Sequence, residues 1–130
     1  LALLASSVKE LTIGDASNPA TFIGPIIHQT HAQSIKRHID NAIRDTANNT
    51  LVAGGECYEK DNGHYVSPTI FRCKSDDSAI VTDEVFGPVV SILSFDDVDD
   101  VVNRCNASDY GLAAGIVAKD TKDYTKAKEA

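Results

Sequence analysis

Val89-Val90-Ser91-Ile92-Leu93-Ser94-Phe95, then Asp96-Asp97-Val98-Asp99-Asp100-Val101-Val102-Asn103-Arg104-Cys105, then Leu112-Ala113-Ala114-Gly115-Ile116-Val117-Ala118 are the residues that decide the fold class. The first run is apolar and β-branched and has the length of a buried strand. In the second, Val98, Val101, Val102 and Cys105 fall on one helical stripe, which makes Cys105 an expected small buried apolar residue. Asp96, Asp97, Asp99 and Asp100 open that helix and complement the positive end of its dipole. They do not form a calcium loop, because the glycine and distal glutamate of an EF-hand are missing. The third run is apolar throughout, as strands covered on both faces are. Strand, helix, strand predicts a βαβ unit, and hence a layered α/β fold with a mostly parallel sheet.

Working outward, the upstream residues supply the same kinds of element. Leu4, Val8 and Leu11 make one stripe, so Leu1 to Leu11 reads as a helix. Gly14-Asp15, Asn18-Pro19 and Gly24-Pro25 mark a turn-rich connection. Thr30-His31-Ala32-Gln33 has the form of a capping box. Ile35, Ile39, Ala42 and Ile43 follow it at helical spacing, which predicts a helix over about residues 31–47. Leu51-Val52-Ala53 reads as a short strand ended by Gly54-Gly55. Tyr65 to Phe71 alternates and reads as another, with Pro68 marking an edge or a bulge. A final helix is expected after Asp120-Thr121.

The chain has 130 residues, with 12 Lys+Arg against 19 Asp+Glu and a net charge of −7. Its length predicts one domain over residues 1–130, or one piece of a larger one. The acidic balance argues against nucleic acid and against an anionic membrane surface, both of which want a basic face. No apolar run reaches the roughly 18 residues of a membrane span. Leu1-Ala2-Leu3-Leu4-Ala5 has no basic flank and is not read as a signal peptide. Methionine is absent, and the helix-like stretch Tyr124 to Ala130 carries no C-cap signal, so a piece of a longer polypeptide is expected.

Common chemistry-bearing motifs are missing. Cys57, Cys73 and Cys105 form no C-x-x-C pair, which excludes a zinc ribbon or a thioredoxin-type centre. Cys57, in Gly54-Gly55-Glu56-Cys57-Tyr58, reads as a loop residue with no base or helix N-terminus to activate it. His31 and His38 are seven apart and share a helix face, but no third ligand completes a metal set. They read as surface or partly packed imidazoles, and no metal site is expected.

Thr82-Asp83-Glu84-Val85-Phe86-Gly87-Pro88-Val89-Val90 is the segment with functional potential. Gly87 permits a close backbone approach or an unusual φ, and Pro88 can hold the first strand position without losing a ladder bond. Glu84 and Phe86 are then held on a rigid entry to the sheet. A carboxylate accepts two hydroxyl hydrogen bonds and an aromatic offers a face, which suits a ligand with a sugar and a flat ring. A capped strand with a core phenylalanine is the alternative from the same residues.

Glu84-Val85-Phe86-Gly87-Pro88-Val89 resembles the E-x-F-G-P-V signature of the NAD(P)-dependent aldehyde dehydrogenases. Three further segments are similar to that family in the same order. They are Ile13-Gly14-Asp15 through Ile23-Gly24-Pro25-Ile26-Ile27, then Gly54-Gly55 with Gly63-His64-Tyr65-Val66-Ser67-Pro68-Thr69-Ile70, then Asn106-Ala107-Ser108-Asp109-Tyr110-Gly111-Leu112-Ala113-Ala114-Gly115. The resemblance implies part of the catalytic domain of an enzyme that oxidises an aldehyde to an acid with NAD or NADP. It implies that Glu84 binds the nicotinamide ribose hydroxyls and that Phe86 lies against the nicotinamide side. The family's nucleophilic cysteine in G-Q-x-C, its base in E-x-G-G and its oxyanion asparagine have no match here, and none of Cys57, Cys73 or Cys105 falls where the nucleophile does. No catalytic residue is therefore expected within residues 1–130, and the piece alone is expected to be inactive. Phe22 to His28 and His64 to Pro68 are most similar to the 1-pyrroline-5-carboxylate (glutamate semialdehyde) dehydrogenases of proline catabolism, whereas Val89 to Ala118 is as similar to general-substrate members. The resemblance further implies a small-molecule aldehyde as partner, a homo-oligomer when full length, and a soluble intracellular protein of the cytoplasm or mitochondrial matrix. A non-catalytic relative with a structural or binding role is the alternative from another class.

Overall fold

The computed structural model describes residues 1–129, so that Ala130, the end of the Tyr124 to Ala130 stretch, lies outside the described residues. The chain divides into two compact units, the first Leu1–Leu93 and the second beginning at Ser94. The first holds α1 (Ala2–Lys9), α2 (Gln29–Arg44), β1 (Asn49–Ala53), β2 (Cys57–Lys60), β3 (Gly63–Val66), β4 (Thr69–Cys73), α3 (Ala79–Thr82) and β5 (Val89–Ile92). The second holds α4 (Val98–Asn106) and α5 (Thr121–Glu129).

The α/β expectation holds, and the sheet is partly parallel. Its order is β1-β4-β5. β4 and β5 run parallel with Thr69 opposite Val89, and β1 and β4 run antiparallel with Asn49 opposite Cys73. β2 and β3 form a separate hairpin. Its two-residue turn, Asp61-Asn62, takes left-handed φ values of 50° and 61°, which matches the twist of the flanking strands. The strand at Cys57–Lys60 sits where a loop was expected, because this turn lets Tyr58 lie opposite Tyr65 and stack on it at 5.6 Å.

α2 supplies most of what the sheet packs against. Ile35, Ile39 and Ala42 are buried together with Val66, Phe71, Cys73 and Ile80 in one core. Ile35, Ile39 and Phe71 are fully enclosed, and such side chains each stabilise a fold by about 1.5–3 kcal/mol. The polar groups drawn into this region are matched: the Ser78 hydroxyl donates to Asn49 at 3.0 Å, and Ser91 donates to the Ile80 carbonyl at 2.8 Å, tying β5 to α3.

Several boundaries differ from the sequence reading. α2 starts at Gln29, and its cap is not the Thr30 capping box but His28, whose Nδ1 accepts the His31 N–H at 3.1 Å. His28 has the extended backbone (φ −161°, ψ 162°) that a cap residue needs, while Thr30 is already helical. The expected strand from Tyr65 to Phe71 is two strands interrupted at Ser67-Pro68, since proline cannot donate to a ladder. β5 ends at Ile92 instead of continuing to Phe95.

In the second unit, Asp97 caps α4 by accepting the Asp100 N–H at 2.8 Å, with Asp99 and Asp100 in the first turn as the dipole argument requires. Two expectations fail there. Leu112 to Ala118 forms no strand, and Leu112 and Val117 are fully exposed. The second unit contains no strand among its described residues, and a run without a hydrogen-bonding neighbour has nothing to hold it as one. Cys105 is exposed, not buried, because α4 encloses none of its residues. Among the described residues, no helix is long and apolar enough to cross a membrane.

Candidate functional site

Three of the four segments picked out in the sequence close on one another within the first unit. Ile13 and Ile23 form a bridge, with the Gly14 N–H donating to the Ile23 carbonyl at 3.1 Å. Ile26 donates to the His64 carbonyl at 2.7 Å, which joins the Gly24-Pro25 turn to β3. The buried Thr69 is a hub: its hydroxyl accepts the Gly55 N–H at 3.0 Å and donates to the Ser67 carbonyl at 2.8 Å, while its N–H donates to the Pro88 carbonyl at 2.8 Å. Gly54, at φ 74°, comes so close to Pro68 that a Cβ would lie 2.1 Å from the Pro68 carbonyl oxygen. The Gly54-Gly55 and Pro68-Thr69 pieces of one motif are therefore in contact, and both adjoin the Glu84–Pro88 segment. The fourth, Asn106 to Gly115, belongs to the second unit.

The Glu84-Val85-Phe86-Gly87-Pro88 segment leads from α3 into β5. Val85 turns inward and packs on the core, while Glu84 and Phe86 on either side of it are exposed. One side chain anchors the segment and its two neighbours face out. Phe86 is 73% exposed, so it is not the core phenylalanine of the alternative reading. Among the described residues, Glu84 makes no hydrogen bond or ion pair. An unpaired carboxylate and a largely exposed ring thus stand two residues apart on a backbone pinned from behind.

The pinning comes from α2. Gly87 lies against Ile35, where an added Cβ would meet Ile35 Cδ1 at 2.7 Å. The close approach expected of Gly87 is present, and the unusual φ falls instead on Phe86, at 55°. His31 Nε2 lies 2.8 Å from the Phe86 carbonyl oxygen, and the two rings meet edge to face at 6.0 Å. His38 Nδ1 is 3.8 Å from Asp83 Oδ2, a neighbour but too far for a hydrogen bond. His31, Ile35 and His38 are spaced four and three apart on α2, so one helix face meets residues 83, 86 and 87. The sequence reading saw the shared face of His31 and His38 but not its partner. The spacing was the available signal, and the partner lies about fifty residues away in the chain.

The cysteines carry no sign of activation. Burial pushes the Cys57 thiol above its usual range, and nearby Lys36 only partly counters this. Burial also pushes Cys73 up. Among the described residues, no group of three His, Cys, Asp or Glu side chains could hold a metal ion.

This geometry can be set beside known proteins. The model of the aldehyde dehydrogenase family matches residues 1–130. An aldehyde dehydrogenase from Bacillus cereus, solved as its NAD+ complex, is 31% identical and superposes with a TM-score of 0.89, over 98% of this chain and 26% of that one. Betaine aldehyde dehydrogenase from Staphylococcus aureus, also in complex with NAD+, is 28% identical with a TM-score of 0.88, over 98% of this chain and 26% of that one. Aldehyde dehydrogenase 21 from Physcomitrella patens, in complex with the reaction product succinate, is 30% identical with a TM-score of 0.84, over 96% of this chain and 25% of that one. The chain spans about a quarter of the length of these structures. A family match over every residue, with folds that superpose this closely, means that the chain belongs to the aldehyde dehydrogenase family.

Proposed function

We propose that these 130 residues form part of an NAD(P)-dependent aldehyde dehydrogenase and supply the nicotinamide-ribose side of its dinucleotide site through Glu84 and Phe86. The observation that carries this reading is the free carboxylate and exposed ring on a segment held rigidly by α2 and β4. The donor set fits the group: a carboxylate takes both hydroxyls of a ribose, and an aromatic face takes a flat ring. Bound there, the dinucleotide supplies a hydride acceptor. Glu84 then fixes the sugar and Phe86 limits where the ring can lie, so both act by orientation and not by bond-making.

The nucleophile, base and oxyanion donor of the reaction are assigned outside residues 1–130, and the piece alone is inactive. Burial raises the Cys57 thiol above its usual range, which supports this assignment. Glutamate semialdehyde is the proposed aldehyde, on the similarity of Phe22 to His28 and His64 to Pro68 to that branch. A full-length homo-oligomer in the cytoplasm or mitochondrial matrix completes the reading.

The test is Glu84→Gln in the full-length enzyme, which keeps the shape and removes the charge. A hydrogen bond to a charged acceptor is worth about 1.5–3 kcal/mol against about 1 for a neutral one, so single-turnover hydride transfer should fall on the order of tenfold. The melting temperature should hold, since Glu84 has no hydrogen-bond or ion-pair partner among the described residues. Wild-type transfer with a sharply lowered melting temperature would make Glu84 structural and remove the cofactor assignment.

A further inference from the structure

We propose that His31 is a positioning residue: its hydrogen bond to the Phe86 carbonyl holds the strained turn that aims the Phe86 ring at the dinucleotide. This rests on the cofactor reading of Glu84 and Phe86 given above.

Phe86 has φ 55°, in the left-handed region that a bulky non-glycine residue adopts only when its surroundings over-determine it. Its own side chain cannot do so, being 73% exposed. Downstream the chain is pinned: Gly87 sits against Ile35, Val89 donates to the Gly87 carbonyl at 2.7 Å, and Thr69 donates to the Pro88 carbonyl at 2.8 Å. Upstream, Val85 is anchored in the core. The Phe86 carbonyl lies between those anchors, and the side chain that reaches it is His31, at 2.8 Å.

A carbonyl oxygen only accepts, so His31 carries a proton on Nε2 and donates. The imidazole also meets the Phe86 ring edge to face, at 87° between planes. Its own setting is fixed from the other side. His28 accepts the His31 backbone N–H at 3.1 Å, and its ring lies edge to face with the His31 ring at 5.9 Å. The helix cap, the imidazole and the strained peptide thus form one connected unit. Without the Nε2–H bond, φ of Phe86 can relax to negative values. That rotation swings the Phe86 ring, while Glu84, on the far side of anchored Val85, keeps its place.

The test uses the full-length enzyme, with NAD+ as the probe in equilibrium binding and the melting temperature of the free protein measured alongside. His31→Leu keeps bulk and removes the donor, and is expected to weaken NAD+ binding about tenfold, equivalent to about 1.4 kcal/mol. His31→Gln, whose amide N–H can donate to the same carbonyl, is expected to recover most of that loss. In a Phe86→Gly background, where positive φ costs nothing, His31→Leu is expected to add almost no further loss. NAD+ binding unchanged in His31→Leu but weakened in Glu84→Gln would overturn the role of His31 alone. So would a loss that His31→Gln does not restore, or one that follows a fall in melting temperature. If neither His31→Leu nor Glu84→Gln alters NAD+ binding, the cofactor reading falls with it.

Discussion

Replacing Gly87 by alanine tests how rigidly the Glu84–Pro88 segment is set against the core. The new methyl would sit 2.7 Å from Ile35 Cδ1, 3.1 Å from Cγ1 and 3.2 Å from Cγ2. Ile35 cannot step aside easily, because it is fully enclosed and its β-branched side chain has one strongly preferred rotamer in a helix. Inserting a methylene's worth of volume into such a site costs about 1–3 kcal/mol. Gly87 does not have a positive φ, so alanine gains about 0.4–1 kcal/mol through a less free unfolded chain. The net expectation is a loss of about 1–2 kcal/mol, read as a lower denaturant midpoint with an unchanged slope. The same variant should weaken dinucleotide binding, since Phe86 is bonded directly to the displaced residue. Ile35→Val removes Cδ1, the atom in closest conflict, and by itself costs about 0.5–1.5 kcal/mol. Combined, the two changes should be less harmful than their sum, with a coupling of about 1 kcal/mol. Strict additivity, or a neutral Gly87→Ala, would refute the close packing of α2 on this segment.

Phe86→Ala should change stability by less than about 0.5 kcal/mol, because the ring is mostly exposed, while single-turnover hydride transfer in the full-length enzyme falls clearly. A drop in the denaturant midpoint comparable to a core truncation would contradict this. Alkylation at neutral pH should modify exposed Cys105 first, with Cys57 and Cys73 lagging because burial keeps their thiols protonated. For those two the unfolded chain ionises first as pH rises. The stability they contribute as neutral thiols is therefore complete below the ordinary thiol range and declines as pH climbs through their raised values, which a denaturant midpoint measured against pH would reveal.

Elements were readable from the residues where one local signal decided the matter. The stripe of Ile35, Ile39 and Ala42 places α2 whatever it packs on, and the aspartates of α4 match the dipole of their own helix. The carboxylate and aromatic two apart ahead of Gly87-Pro88 are likewise a local pattern, so Glu84 and Phe86 could be picked out before any contact was known. The hairpin turn was harder, because Asp61 and Asn62 take left-handed conformations that neither must adopt in isolation. The cap of α2 went to His28 over Thr30 because only one residue could have extended backbone at the helix entry, and that depends on how the chain arrives from Ile26, bound to the His64 carbonyl.

By itself, the sequence determined the α/β class, the main core-facing helix, the family resemblance and the two residues of the candidate site. These follow from periodicity and from short motifs, both properties of neighbouring residues. Tertiary structure alone decided that the unusual φ belongs to Phe86 and not to Gly87, that the ring is largely exposed, and that His31 and Ile35 hold the segment from a distant helix. It also decided that the apolar run Leu112 to Ala118 is not a strand. A strand needs a partner for its backbone groups, and strain needs contacts that outweigh it. Both are supplied by residues far away in the chain, so neither is written into the segment that shows them.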